Sequence, residues 1–256
     1  MRVGIAQIDA DSLCDDLDAN LEVLSSITAE AAERRIDLLV TPELMLTQYE
    51  PRLAARQAWR GSELRSKAAN IAAAHQVGLV FSTPELDSQA VKPFITVTLC
   101  DRRGVRLLHH RKRVLFGDAE RLRFGAGGEE SGLANFDGFM VGLALCYEVE
   151  FPEVIRSLAM RGADLVCIPT ALTASMPGQV SEQVTEVLVP ARSVENQLFI
   201  AYSNYARPKF SGHSMVSGPL GVRTGAGHHA EIFYDDVTLA ELKSSRALNT
   251  YLEDIP

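Results

Sequence analysis

Apolar residues recur along this chain with two distinct periods. Val3, Ile5 and Ile8 open a strand-like stretch, and behind it Leu17, Leu21, Leu24, Ile27 and Ala31 fall on one face of a helix, the recurrence expected of an amphipathic helix packed on a core. Residues 37–43, Asp-Leu-Leu-Val-Thr-Pro-Glu, read as a short buried strand ended by Pro42, so Glu43 falls at a strand's carboxyl end. Residues 48–61 show neither period and read as irregular. A helix is predicted over 62–75.

The strand pattern returns at 77–82 and then changes character. Residues 94–100 and 105–109 are two strands joined by the turn Asp101-Arg-Arg-Gly104, the signature of an antiparallel hairpin. A strand over 139–146, a helix over 152–161, a strand over 163–169 closed by Pro169, a helix running through Val194 and a strand over 198–202 follow. This alternation implies an α/β protein whose sheets are covered by helices. No Gly/Ser-rich linker and no internal repeat divides it, so residues 1–256 are expected to form a single domain. A chain of this length buries roughly three quarters of its unfolded surface and needs neither metal nor disulfide to hold together.

Charge and cysteine usage narrow the function classes. Against 25 Lys and Arg stand 33 Asp and Glu, a formal charge of -8, and the basic residues are scattered apart from Arg102-Arg103 and Arg111-Lys112-Arg113; nucleic acid is not an expected partner. The apolar stretch at the start is too short for a signal peptide, and no run approaches membrane-spanning length, so a cytoplasmic protein without a membrane partner is expected. Cys14, Cys100, Cys146 and Cys167 lack a C-x-x-C spacing, and disulfides are not expected.

The most informative segment is Leu143-Ala-Leu-Cys-Tyr-Glu-Val-Glu-Phe-Pro-Glu153, where a cysteine ends an apolar strand shortly before a helix. At such an elbow the thiol projects above the sheet edge, and nearby backbone N–H groups are free to bind an oxyanion. A buried structural cysteine would leave the same trace, because free Cys is among the most buried residue types. A thiol of pKa about 8.5 needs a base or a cation to act at neutral pH. None of the six histidines carries a recognisable Cys-His protease signature, which leaves strand-end carboxylates as alternative bases. Glu43 would share a rim with Cys146 if their strands were neighbours in one sheet. Lys112 could neutralise a developing oxyanion, although its neighbours also fit a solvated charge run, and Glu120 reads as a loop carboxylate.

Thr41-Pro-Glu-Leu44, Arg111-Lys-Arg-Val-Leu-Phe116, Glu120 with Phe124-Gly-Ala-Gly127, and Cys146-Tyr-Glu-Val-Glu-Phe-Pro-Glu153 together resemble the nitrilase superfamily in order and spacing, and the similarity runs from Val3 to Gly221. The resemblance implies a four-layer α-β-β-α sandwich, with Glu43, Lys112 and Cys146 as catalytic glutamate, lysine and cysteine and Glu120 as an additional active-site glutamate. Tyr49, Tyr147, Thr170 and Ala171 are the implied substrate-binding positions. It further implies a homodimer or higher homo-oligomer, no metal or organic cofactor, and a small-molecule amide or carbamoyl substrate. The combination with Val189-Pro-Ala-Arg-Ser-Val-Glu-Asn196 looks more like the amidase and carbamoylase branches than true nitrilases. The implied reaction is release of ammonia from a small aliphatic amide through a thioester; an N-carbamoyl amine or amino acid amidohydrolase, or a nitrilase, is the alternative. The chain departs from the family pattern at Gln48, where glycine is common, at His110, where tyrosine is frequent, and at Ser217-Gly218, where an aspartate often precedes the proline.

Two readings lie outside the family. A metal-dependent hydrolase would use His109-His110, His213 and His228-His229, but no H-E-x-x-H spacing is present. A non-catalytic binding protein would be favoured had Glu43, Lys112 or Cys146 been replaced, and all three are there.

Overall fold

A computed structural model describes residues 1–176 and 180–255. Two six-stranded mixed sheets carry the chain: β12-β1-β2-β3-β4-β5 and β11-β10-β9-β8-β7-β6. In the first, β1 (Arg2–Gln7), β2 (Leu38–Val40) and β3 (Gly78–Glu85) are parallel, linked through α1 (Leu17–Glu33) and α3 (Gly61–His75). The antiparallel hairpin of β4 (Phe94–Cys100) and β5 (Arg106–Arg111) extends one edge, and β12 (Glu231–Asp236) returns antiparallel to β1 at the other. In the second sheet, β7 (Phe139–Leu143), β8 (Leu165–Pro169) and β9 (Phe199–Ser203) are parallel, linked through α5 (Pro152–Met160) and a helical run made of α6 (Val180–Glu182), a π-helical stretch (Gln183–Leu188) and α7 (Val189–Asn196). The strands β6 (Leu133–Phe136), β10 (Met215–Gly218) and β11 (Gly221–Gly225) complete it antiparallel.

Side-chain alternation along the strands stacks the layers. Val3, Ile5, Leu38 and Val40 meet Leu165, Cys167, Phe199 and Ala201 in a core between the two sheets. The intervening residues face outward: Ala6 and Leu39 pack against Leu21 and Leu24 of α1 and Leu64 and Ala68 of α3, while Val166 and Ile168 pack against Ile155 and Leu158 of α5 and Val189 of α7. Both faces of each sheet are thus apolar, which is why the central strands read as continuous hydrophobic runs. The result is the α-β-β-α sandwich expected. Asp16 starts α1 by accepting the Asp18 and Ala19 N–H groups, the usual service of a helix cap.

The expectation of an irregular 48–61 segment is corrected: α2 (Pro51–Arg56) and a 3-10 turn over Ala58–Arg60 lie there. With Ala54 its only buried residue, α2 is too short to print a periodic stripe. The strand predicted over 139–146 ends at Leu143, and a 3-10 turn over Cys146–Glu150 takes its place. Glu120 belongs to a short helix, α4 (Gly117–Arg123), and not to a loop. Elements β6, β10, β11, β12 and a last helix, α8 (Leu239–Leu248), were not anticipated. Among the described residues no helix is long and apolar enough to cross a membrane.

The carboxyl ends of β2 and of β7 and β8 open toward the same end of the sandwich, with the end of β5 beside them. That end is shaped partly by close backbone packing: a Cβ on Gly127 would stand 2.3 Å from the Arg111 carbonyl oxygen, whereas one on Gly128 would meet nothing within 4 Å. Gly127→Ala is therefore expected to destabilise the protein by about 1–3 kcal/mol through overpacking, and Gly128→Ala to stay within about 0.5 kcal/mol of the parent. Urea unfolding of the two variants checks this; equal midpoints would contradict the packing assigned to Gly127.

Candidate active site

Glu43 follows β2 by three residues and is clamped through its backbone: its N–H donates to the Thr170 carbonyl at 3.2 Å, and its own carbonyl accepts the Tyr205 hydroxyl at 2.7 Å. The next residue, Leu44, is left-handed at φ 53°. Lys112 leaves the end of β5, its N–H bonded to the Ile95 carbonyl and its carbonyl to the Gly127 N–H, both at 2.8 Å. Alternation along this extended segment separates three basic neighbours. Arg111 turns outward to Glu85 and Asp87, Arg113 pairs with the exposed Glu130, and Lys112 has no exposed side-chain surface.

Two carboxylates receive the buried ammonium, Glu43 Oε1 and Glu120 Oε1, each 2.8 Å from Lys112 Nζ. Glu120 is held in turn by the Tyr49 hydroxyl at 2.6 Å and by the Phe116 N–H at 2.7 Å. Cys146 begins its turn at φ 46°, a left-handed conformation costly for a residue with a Cβ. The thiol lies beside Glu43, whose second oxygen, Oε2, is buried without a hydrogen-bond partner among the described residues. Catalytic hydrogen bonds in an unliganded site are often long and tighten only with substrate.

A shared rim for Glu43 and Cys146 was conditional on their strands being neighbours in one sheet, and that condition is not met: β2 belongs to one sheet and β7 to the other. The two side chains face each other across the open end of the sandwich, and the Glu43–Thr170 bond joins the sheets there.

Electrostatics follow from this burial. Desolvation raises the Glu43 carboxyl to about 7 even though the Lys112 ammonium pulls the other way and Glu120 adds to the rise. Burial also pushes the Cys146 thiol well above its ordinary value, aided by the Glu43 charge and opposed by Lys112 and the Ala171 N–H. For Lys112, burial works against the charge, but Glu43 and Glu120 override it and the amine stays firmly protonated. A neutral thiol next to a carboxylate that titrates near neutrality is an arrangement able to pass a proton from sulfur to oxygen.

The structure brings Glu43, Lys112, Glu120, Cys146 and Tyr49 together. Tyr147 is the residue after the elbow, its ring packed edge-on between Phe116 and Phe151; no partner is found for its backbone N–H among the described residues, as is usual in the first turn of a helix. Thr170 turns its hydroxyl back to the Ile168 carbonyl, so its contribution here is the carbonyl that holds Glu43. The Ala171 N–H lies near the thiol and opposes the rise of its pKa. Tyr205, stacked on Phe210 at 4.6 Å, was missed, since a buried tyrosine bonding a backbone carbonyl leaves no sequence pattern. Four of the histidines are occupied elsewhere: His109 with Thr98 and Glu85, His110 with Glu148, and His213 against His228. Among the described residues no three His, Cys, Asp or Glu side chains are arranged to hold a metal ion.

A family model described as carbon-nitrogen hydrolase matches residues 2–247. A protein of Pseudomonas protegens named "Hydrolase in pqqF 5'region" is 34% identical, the match covering 99% of this chain and 88% of the relative. The omega-amidase NIT2 of Mus musculus is 29% identical, with 96% and 91% covered. Among solved structures, a double mutant of an amidase from Nesterenkonia sp. AN1 in complex with acrylamide superimposes with a TM-score of 0.89 at 31% identity, covering 100% of this chain and 94% of that one. Another structure of that amidase carries the acetamide moiety of fluoroacetamide covalently added at its active-site cysteine.

The burial of Lys112 between two carboxylates makes a stability prediction. Lys112→Met leaves Glu43 and Glu120 facing each other without a cation and should cost about 3–5 kcal/mol, whereas Arg113→Met, which loses a half-exposed pair with Glu130, should cost about 0–1 kcal/mol. Chemical denaturation at neutral pH compares them. Equal, small losses would mean that the ammonium does not bind the two carboxylates together.

Proposed function

The chain belongs to the carbon-nitrogen hydrolase family, and we propose that it is a cysteine-dependent amidase that releases ammonia from small aliphatic amides through a thioester on Cys146. The observation that carries this reading is the buried triad of Glu43, Lys112 and Glu120 gathered beside a cysteine in a left-handed elbow.

In the proposed cycle Glu43 Oε2 accepts the thiol proton as sulfur attacks the amide carbon. The carbon–sulfur bond forms while the carbonyl electron pair moves onto oxygen. An ammonium carries three donors; two on Lys112 are committed to Glu43 and Glu120, and the third, with the Tyr147 N–H, is available to the oxyanion. Collapse of this intermediate breaks the carbon–nitrogen bond, and the proton held on Glu43 leaves with the nitrogen as ammonia. Glu43 then takes a proton from water as it attacks the thioester, and returning that proton to sulfur frees the acid. Glu120 keeps Lys112 in place and Tyr49 keeps Glu120 in place. Losing one oxyanion donor from such a site costs roughly 10²–10³ in rate.

A thiol flanked by a carboxylate that titrates near 7 gives a definite pH dependence. The base works only when ionised, so kcat/KM should rise with pH through an apparent pKa near 7 and be lost as pH falls below it. Glu43→Gln should fold, lose most turnover and lose this limb. Cys146→Ala should abolish turnover, while replacement of Cys14, Cys100 or Cys167 should not. Ammonia release from a panel of aliphatic amides, ω-amides, N-carbamoyl amines and nitriles tests the substrate class. Turnover confined to N-carbamoyl amines or nitriles would replace the amide assignment, and full activity in Cys146→Ala would end the thioester mechanism.

A further inference from the structure

One fully buried carboxylate has no part in the cycle above. Glu148 lies two residues after the nucleophile, and three donors converge on it. The Arg113 N–H reaches Oε1 at 2.7 Å, the Leu145 N–H reaches Oε2 at 2.8 Å, and His110 Nε2 stands 3.0 Å from Oε2 and 3.2 Å from Oε1. An ionised carboxylate only accepts, so His110 Nε2 carries the proton in this pair. Burial favours the neutral acid, but His110 and the Arg113 and Leu145 N–H groups outweigh it and hold the Glu148 carboxyl below its ordinary value.

The Leu145 bond is local, closing the first turn of the 3-10 segment that Cys146 opens. The other two donors come from the opposite sheet: His110 is in β5, and Arg113 is the residue after Lys112. A carboxylate that served only as a helix cap would need neither. Glu148 therefore bonds the residue before the nucleophile on one side and brackets the lysine on the other, from two residues before it to one residue after it.

We infer that Glu148, oriented by His110, is a positioning residue that fixes the Lys112 segment against the Cys146 turn and so sets the distance from the oxyanion donors to the sulfur. The inference rests on the amidase reading for the roles of Lys112 and Cys146. In this chain the ring at position 110 supplies a nitrogen donor from within the β5 strand. A misplacement of about 1 Å between reacting groups can cost on the order of 10²-fold in rate, so slackening this clamp should be felt in catalysis before it is felt in substrate binding.

Three variants test it. Glu148→Gln keeps the volume but turns an amide N–H₂ toward one of the donors, His110→Leu removes the ring donor, and His110→Gln restores an amide N–H close to the position of Nε2. For the amide turned over best by the parent, the first two should lower kcat about 10–100-fold with KM within about threefold, and His110→Gln should recover most of the loss. Alkylation of Cys146 by iodoacetamide, followed against pH by peptide mass spectrometry, should slow near neutral pH in the same two variants and recover in His110→Gln, because a displaced Lys112 no longer favours the thiolate. Lower urea midpoints with unchanged kcat per folded molecule and unchanged alkylation profiles would overturn the inference and leave Glu148 as a fold staple. If Glu148→Gln does not fold, the His110 pair decides alone: parental kcat and alkylation in His110→Leu overturn it. A parent that hydrolyses no amide would defeat the amidase reading, and the alkylation profiles would still judge the clamp.

Discussion

Everything at the open end of the sandwich is arranged around one ammonium group with no access to water. Removing a lysine and its counter-charges from solvent costs several kcal/mol per ion unless the geometry repays it. The repayment requires two carboxylates at hydrogen-bond distance from Lys112, Glu43 and Glu120. Glu120 in turn needs Tyr49 and the Phe116 N–H, and Glu43 needs Thr170 and Tyr205 to fix its backbone. The short helix α4 and the segment after β2 owe their conformations to this demand. Left-handed φ at Leu44, Gln48 and Cys146 clusters in the same region, local strain that the surrounding packing sustains.

The same constraint places the proposed acid–base chemistry near neutral pH. With a single cation shared between two buried carboxylates, the ammonium does not offset the burial of Glu43, whose carboxyl is raised to about 7. An exposed glutamate would be too weak a base, and a carboxylate with a lysine to itself would be held anionic too firmly to take up a proton. The thiol is raised by its own burial, so in the proposed cycle it enters as the neutral acid. The proposed machinery is split between two sheets, and the Glu43–Thr170 and Glu148 contacts both cross that seam.

Much of the fold was legible because long elements print their period. Leu17, Leu21, Leu24 and Ala31 mark α1, and the largely apolar stretches at β3, β4 and β8 mark strands buried on both faces. Short elements were not legible: α2 and α4 are less than two turns long and each buries a single side chain. Nor could the sequence assign strands to sheets, since both sheets use the same strand–helix alternation; that is why the meeting of Glu43 and Cys146 stayed conditional on a shared sheet. Arg111-Lys-Arg113 looks like a solvated run, and only the inward alternation beyond β5 distinguishes Lys112. Glu148 carried no signal at all, because its spacing does not set it apart from Glu150 and Glu153.

The central claim is that Cys146 bears the acyl group during turnover. Acid-quenching the protein during steady-state hydrolysis of an amide, then mapping its cysteine peptides by mass spectrometry, tests this most directly. The account predicts an acyl thioester on the Cys146 peptide alone, discharged when the quench is delayed until substrate is exhausted. An acyl group on Cys14, Cys100 or Cys167, or steady turnover with no acylated cysteine, would contradict it.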